Sequence, residues 1–313
     1  MASRKSIMRR IKSIKSTSQI TKAMEVVSAT KMRRSQEFAL HARPYAKAAL
    51  ELLRNLLQRT PDHLLPPVLK PREIKRFSLL VITSDKGLAG AFNANVLRKA
   101  TQWLSGQSID IAKPYIITVG KKAKEYFQRR GESVAESFWG YGDYTTLAET
   151  AGIADTVIKG FLDRSWDEAY AVYTNFRTTL LQEAVIKKIL PATPTGLQEA
   201  VQSILPERGR FAESQAPNSG LRAPAYQYEY KFEPSSAEIL DALVPELIRM
   251  HIHHIILESN ASEHSARMVA MKNASDNARE LISKLAIEYN KLRQAGITRE
   301  LAEITAGKEA LEE

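Results

Sequence analysis

Ile7, Ile11 and Ile14 open the chain with the 4-3 spacing that sets apolar side chains in one stripe along a helix. Ile20, Met24 and Val27 are expected to carry the stripe on after a drift through Thr17. It resumes with Phe38, Ala42, Tyr45, Ala49, Leu52, Leu53 and Leu56. Residues 1–59 contain no Gly and one Pro, so the pattern predicts a helix from about Ser6 to Leu57, bent at Pro44. At about 1.5 Å per residue such a helix is on the order of 80 Å long, more than a globular domain needs. A stripe this thin asks for a coiled-coil partner.

The other end of the chain supplies one. Residues 246–295 have neither Gly nor Pro, and Met271, Ala274, Ala278, Leu281, Leu285, Tyr289 and Leu292 form a seam of mostly 3-4 spacing. Two long helices separated by a large middle segment pair most naturally antiparallel. The second helix is expected to begin near Ala237, with Pro245 either bending it or lying near its start. Past Gly296, the i, i+4, i+7 stripe Ile297, Leu301, Ile304 marks an apolar tip.

The middle has a different grammar. Phe77–Thr83, Tyr115–Val119, Val134–Phe138 and Glu168–Thr174 read as strands, alternating with helices over Phe92–Leu104, Lys121–Arg130 and Thr146–Leu162. Thr178–Ile189 reads as an antiparallel return strand. The alternation predicts a mostly parallel sheet covered by helices. Residues 191–234, with six Pro and three Gly, read as an extended exposed loop. The expected class is α/β: a long antiparallel coiled coil of the N- and C-terminal helices plus a central Rossmann-like α/β domain. Its segments are 1–59 (N-terminal coil helix), 75–190 (α/β domain), 191–234 (loop) and 235–313 (C-terminal coil helix).

Charge sharpens this picture. Of a formal net charge of +10, residues 1–59 hold 14 Lys and Arg against Glu25, Glu37 and Glu51, so the rest of the chain is close to neutral. Ten of those cations lie between Arg4 and Arg34, which points to an acidic partner: protein, lipid or nucleic acid. No apolar run is long enough to span a bilayer, and the N-terminus has neither a signal-peptide core nor the look of a transit peptide. The absence of cysteine excludes disulfides, thiolate metal sites and cysteine catalysis.

Chemical motifs fall short. Gly87-Leu88-Ala89-Gly90 follows a strand and opens a helix but lacks the third glycine of a dinucleotide fingerprint and the Lys-Ser/Thr of a P-loop. Val119-Gly120-Lys121-Lys122 fails as a Walker fragment. His251, His253 and His254 match no metal-site spacing, and a structural or surface role is expected for them. No catalytic, cofactor-binding or metal-binding residues and no cofactor are assigned.

Three segments carry a resemblance. Ile11–Thr17 with Ile20–Met32 resembles the opening of the gamma subunit of rotary ATP synthases. Thr83–Asn93 looks like that family's segment after its first strand, and Glu258–Lys272 with Tyr289–Ile304 is similar to its C-terminal signature. The resemblance implies a non-catalytic rotor, the central stalk, that turns inside a ring of three alpha and three beta subunits and couples proton flow to ATP synthesis or hydrolysis. The implied partners are the alpha and beta subunits, the epsilon subunit and the membrane c-ring; the implied setting is the cytoplasmic face of a bacterial inner membrane. By family motif the expected contact residues are Lys12, Lys22, Met24, Lys31, Arg33 and Arg34 on the first helix, with Arg267, Met268 and Asn273 on the last. Ile297, Arg299, Leu301 and Ile304 are the expected tip contacts. Arg299 stands where the family often has Gln, and Ala89 where it often has Cys. The competing readings are a basic coiled-coil arm that binds nucleic acid, which has only Phe38 and Tyr45 for base stacking, and an α/β enzyme using the Gly87–Gly90 turn.

Overall fold

The computed structural model describes residues 4–41, 43–107, 114–142, 145–193, 196 and 232–312. Helix is described over Arg4–His41 (α1) and Arg43–Arg59 (α2), the stretch expected as the N-terminal helix. Strand β1 (Phe77–Ile82), α3 (Phe92–Ser105), β2 (Tyr115–Val119), α4 (Lys121–Arg129), β3 (Val134–Phe138), α5 (Leu147–Leu162), β4 (Glu168–Phe176) and β5 (Gln182–Leu190) follow. Helix α6 runs from Ser236 to Glu312 without interruption, with Pro245 in its interior. Ala42 and the side chain of Tyr45, both placed on the N-terminal stripe, lie outside the described residues, as does nearly all of the 191–234 loop.

The chain forms two compact units, residues 30–266 and residues 1–29 with 267–313. In the first, five strands lie in the order β3-β2-β1-β4-β5, parallel except for β5, which returns antiparallel beside β4 as expected. Period-2 alternation sends β1 to both faces. Leu79 and Val81 meet Val96, Leu97 and Ala100 of α3 and Ala123 and Phe127 of α4. Leu80 and Ile82 meet the opposite layer, where α2 (Leu53, Leu56), α5 (Ile153, Val157, Phe161) and α6 (Leu240, Ile248, Ile252) share one core. The result is a three-layer α/β/α sandwich. Continuous apolar runs are what a sheet covered on both faces requires, and β1 is buried at every position.

Local chemistry fixes the ends of the elements. Thr146 caps α5, its Oγ1 accepting from the Glu149 N–H while the Glu149 carboxylate accepts from the Thr146 N–H at 2.6 Å. At the start of α6 the Ser235 Oγ accepts from the Glu238 N–H at 3.3 Å, and the Ser235 hydroxyl lies 2.8 Å from the Glu238 carboxylate. Gly160 on α5 lets the Trp166 ring lie against the helix backbone, since a Cβ there would come within 2.1 Å of it. The Trp166 Nε1–H donates to the Val157 carbonyl at 3.2 Å.

The second unit is the antiparallel coil itself. Its seam follows strict 4-3 spacing on both helices, and the spacing corrects the expected stripe. On α1 the positions after Ile7, Ile11 and Ile14 are Ser18, Thr21, Glu25 and Ser28; Thr21 and Ser28 are buried, whereas Ile20 and Val27 are 59% and 52% exposed. On α6 they are Met271, Ser275, Ala278, Ile282, Leu285, Tyr289 and Leu292, with Ser275 fully buried and Leu281 turned outward. The physical reason is close approach. Small hydroxyl residues let the backbones come near, and each hydroxyl finds a partner at the seam. Thr21 Oγ1 and Ser275 Oγ are 2.7 Å apart, and both hydroxyls also reach the Ser18 carbonyl, at 3.1 and 3.3 Å.

Candidate functional site

Two surfaces and one loop carry the residues that the sequence marks out. On the coil, Lys12 and Lys22 are exposed and Met24 is half-buried; Lys22 Nζ donates to the Glu25 carboxylate at 2.9 Å, an exposed i, i+3 pair. Met268 is half-buried, Asn273 is exposed, and Arg267 is buried. Ile297, Leu301 and Ile304 on the last turns of α6 are all strongly exposed, and so is Arg299. On the part of α1 that belongs to the sheet unit, Arg33 and Arg34 are exposed and Lys31 is half-buried.

These placements divide the candidates. Lys12, Lys22, Arg33, Arg34, Asn273 and the four tip residues present their side chains outward. Arg267 does not, because its side chain is held inside the chain. Reading by hydrophobicity missed other exposed groups. Ile20, Val26, Val27 and Phe38 are large apolar side chains on the outside of α1. Apolar side chains exposed along one helix make a candidate contact surface. The signal was present in the sequence as apolar residues out of phase with the 4-3 seam.

The loop after β1 is the other candidate. In a doubly wound sheet the strand order reverses at the carboxyl end of β1, where such folds bind ligands. Here the chain itself fills that place. One oxygen of the Asp85 carboxylate accepts from the Lys121 N–H at 2.9 Å, the first donor of α4, and the other accepts from the Gly140 N–H at 2.9 Å. Thr83 Oγ1 accepts the Ala123 N–H at 2.9 Å and donates to the Val119 carbonyl at 3.2 Å. Ser84 donates its N–H to Asn93 Oδ1 at 3.0 Å, and the Asn93 amide donates back to Ser84 Oγ at 2.7 Å. The N-terminus of α4 is thus closed by a carboxylate. Gly120 makes the closure possible: it sits at φ +93, and a Cβ there would lie 2.2 Å from the Thr83 carbonyl oxygen.

The same loop exposes Leu88. It adopts φ +63, a left-handed conformation that costs a non-glycine residue about 1–2 kcal/mol, and its side chain is 64% exposed. Strain and apolar exposure at one residue are a signature of contact rather than of folding.

An α/β sandwich and an antiparallel coil built from the two ends of one chain define a class, the central-stalk subunits of rotary ATPases. The comparisons agree with that class. The family profile described as ATP synthase matches residues 3–311. The ATP synthase gamma chain of Pelotomaculum thermopropionicum is 41% identical over 312 residues, covering 100% of both chains. That of Roseiflexus castenholzii is 39% identical over 314 residues, again covering 100% of each. Among solved structures, a chain of the Euglena gracilis mitochondrial ATP synthase (OSCP/F1/c-ring, rotational state 3) superposes with a TM-score of 0.63 at 20% identity, covering 98% of this chain and 94% of that one. A chain of the Tetrahymena thermophila mitochondrial ATP synthase central stalk and c-ring gives 0.56 at 21% identity, covering 82% and 99%. This chain belongs to the ATP synthase gamma-chain family.

Proposed function

We propose that this chain is the rotor of an ATP synthase, a non-catalytic subunit that turns within a ring of alpha and beta subunits and couples proton flow through the membrane sector to ATP synthesis, or ATP hydrolysis to proton pumping. The observation that carries the reading is the outer surface of the coil, cationic at Lys12 and Lys22 and apolar at Ile20, Val26 and Val27, around a seam already filled by the chain's own two helices. An asymmetric shaft contacts each catalytic subunit differently at each angle. A difference in contact free energy between states is what allows one part to shift the conformation of another.

The residue roles follow from chemistry. Lys12, Lys22, Lys31, Arg33 and Arg34 meet acidic loops of the beta subunits through exposed pairs worth about 0–1 kcal/mol each, weak enough to be exchanged as the shaft turns. Met24, Met268 and Asn273 contribute neighbouring contacts. Arg267 acts from within the chain, shaping the helix surface rather than touching the ring. Ile297, Leu301 and Ile304, with Arg299 between them, form a tip that seats in an apolar bearing; hydrophobic contact is non-directional and does not fix an angle. The α/β domain meets the epsilon subunit and the c-ring. No described helix is long and apolar enough to cross a membrane, and the chain acts as a peripheral subunit on the cytoplasmic face of a bacterial inner membrane.

The chain itself binds no nucleotide in this reading, and ATP binds to other subunits of the complex. Because the chain belongs to this family, the acidic partner of its basic helix is protein rather than nucleic acid. The test is isolation of the tagged chain from its host under mild conditions. Alpha and beta subunits with ATPase activity are expected to accompany it; a nuclease-sensitive complex without ATPase activity would reverse the assignment.

A further inference from the structure

Helix α6 carries His251, His253 and His254 within about one turn, at the level where it packs on the sheet unit. All three face the interior to different degrees, and one of them reaches across to α5. His253 Nδ1 lies 3.0 Å from Thr150 Oγ1 on α5. His251 and His254 are 8% and 5% exposed. His254 Nε2 lies 3.3 Å from Glu258 Oε1 one turn further along α6. The Glu258 carboxylate faces Tyr173 of β4, whose phenol is held in its neutral form by burial and then by that carboxylate.

The charges around the cluster are mixed. Lys187 of β5 acts on His251 and lies 5.8 Å from the Tyr173 ring centroid. Arg177, at the end of β4, acts on Tyr173. On α5, Glu149 acts on His253, and Asp155 is held by Arg249, which also pairs with Glu246. His251 Nε2 and both ring nitrogens of His254 have no hydrogen-bond partner among the described residues. A protonated imidazole has two N–H donors to satisfy. At His251, both burial and Lys187 oppose the charge.

We propose that His251 and His253 form a proton-responsive clamp, which holds α6 on α5 and on the β4–β5 pair at neutral pH and releases it as these two imidazoles are protonated. The inference is independent of the rotor assignment. Burial is the largest cause that lowers His251 to about 3 and His253 to about 4. A folded-state value below the ordinary 6.5 means that the released helix binds more protons than the docked one. Docking is therefore fully favoured above about pH 6.5 and weakens as pH falls from there towards 3. Glu149 pulls the other way at His253, since a carboxylate favours the imidazolium beside it. His251, flanked by Lys187, carries the largest share.

Hydrogen exchange of the full chain between pH 7.5 and 5, corrected for the intrinsic pH dependence of exchange, tests this. Amides of residues 247–262 are expected to lose protection relative to those of β1 and β2 as pH falls, approaching about tenfold per pH unit for each proton taken up on release. His251→Gln with His253→Gln, which keeps polar side chains that cannot be protonated, is expected to flatten that slope. If the double variant does not fold, His253→Gln alone, at the less buried site, is expected to reduce it. A slope unchanged in whichever variant folds, or equal loss of protection in β1 and α6, would overturn the proposal.

Discussion

Thr21 Oγ1 and Ser275 Oγ lie 2.7 Å apart across the coil, although 254 residues separate them in sequence. Both hydroxyls also reach the Ser18 carbonyl, so opening the cross-helix bond strands neither of them. Thr21→Ala or Ser275→Ala alone should cost about 0.5–1.5 kcal/mol. Thr21→Val with Ser275→Ala, which replaces both partners by apolar groups, should come out near neutral. A double-mutant cycle on the urea midpoint measures the coupling. Additive single losses would show that the two hydroxyls do not act on one another.

Leu88 makes a second prediction. Leu88→Gly removes the left-handed strain and the exposed side chain together. Stability should be unchanged or higher by up to about 1 kcal/mol, the relief offset by the extra freedom of glycine in the unfolded chain. The assembled complex should meanwhile lose coupling between ATP hydrolysis and proton pumping. A melting temperature several degrees lower would show that Leu88 serves the fold instead.

Gly160 tests the packing of the sheet unit. Alanine in a helix interior is usually favoured over glycine by about 0.5–1 kcal/mol. Here the added Cβ would lie 2.1 Å from the Trp166 ring, and overpacking of this kind costs about 1–3 kcal/mol. Gly160→Ala should therefore destabilise and shift Trp166 emission to the red as the ring is displaced. A more stable variant with unchanged emission would show that the ring moves aside at no cost.

Charge reversal tests the collar. Changing Lys12, Lys22, Lys31 and Arg33 together to Glu should leave the melting temperature of the isolated chain within a few degrees, because three of the four are exposed and Lys31 is half-buried. Binding to the alpha-beta ring should weaken by up to about 4 kcal/mol at low salt, the sum of four weak pairs, and the deficit should shrink as salt rises. ATP-driven proton pumping equal to the parent would refute this role.

Much of the architecture was legible because the letters and the physics coincide. β2 and β3 match their predicted bounds, and β1, α3, α4 and α5 do so to within one residue. Continuous apolar runs become buried strands. The misreadings have one cause: hydrophobicity was taken as a guide to what the chain buries within itself. Ile20 and Val27 were placed in the seam, whereas the seam runs through Ser18, Thr21 and Ser28. β5 begins at Gln182, after the expected Thr178, because Leu180 and Leu181 belong to a turn in which the Thr178 and Leu181 backbones bond each other at 3.0 and 3.2 Å. Arg267 read as a surface cation and is buried. The exposed Leu88 became visible only with its backbone angle, which no residue pattern conveys.

The central claim is that this chain turns inside its partners. The measurement that tests it most directly fixes an assembled alpha-beta ring to a surface, attaches a probe to the α/β domain of this chain and follows its angle on addition of ATP. The account predicts sustained rotation in one direction that requires ATP and stops when it is removed. ATP hydrolysis by the assembled complex while the probe stays at a fixed angle would contradict it.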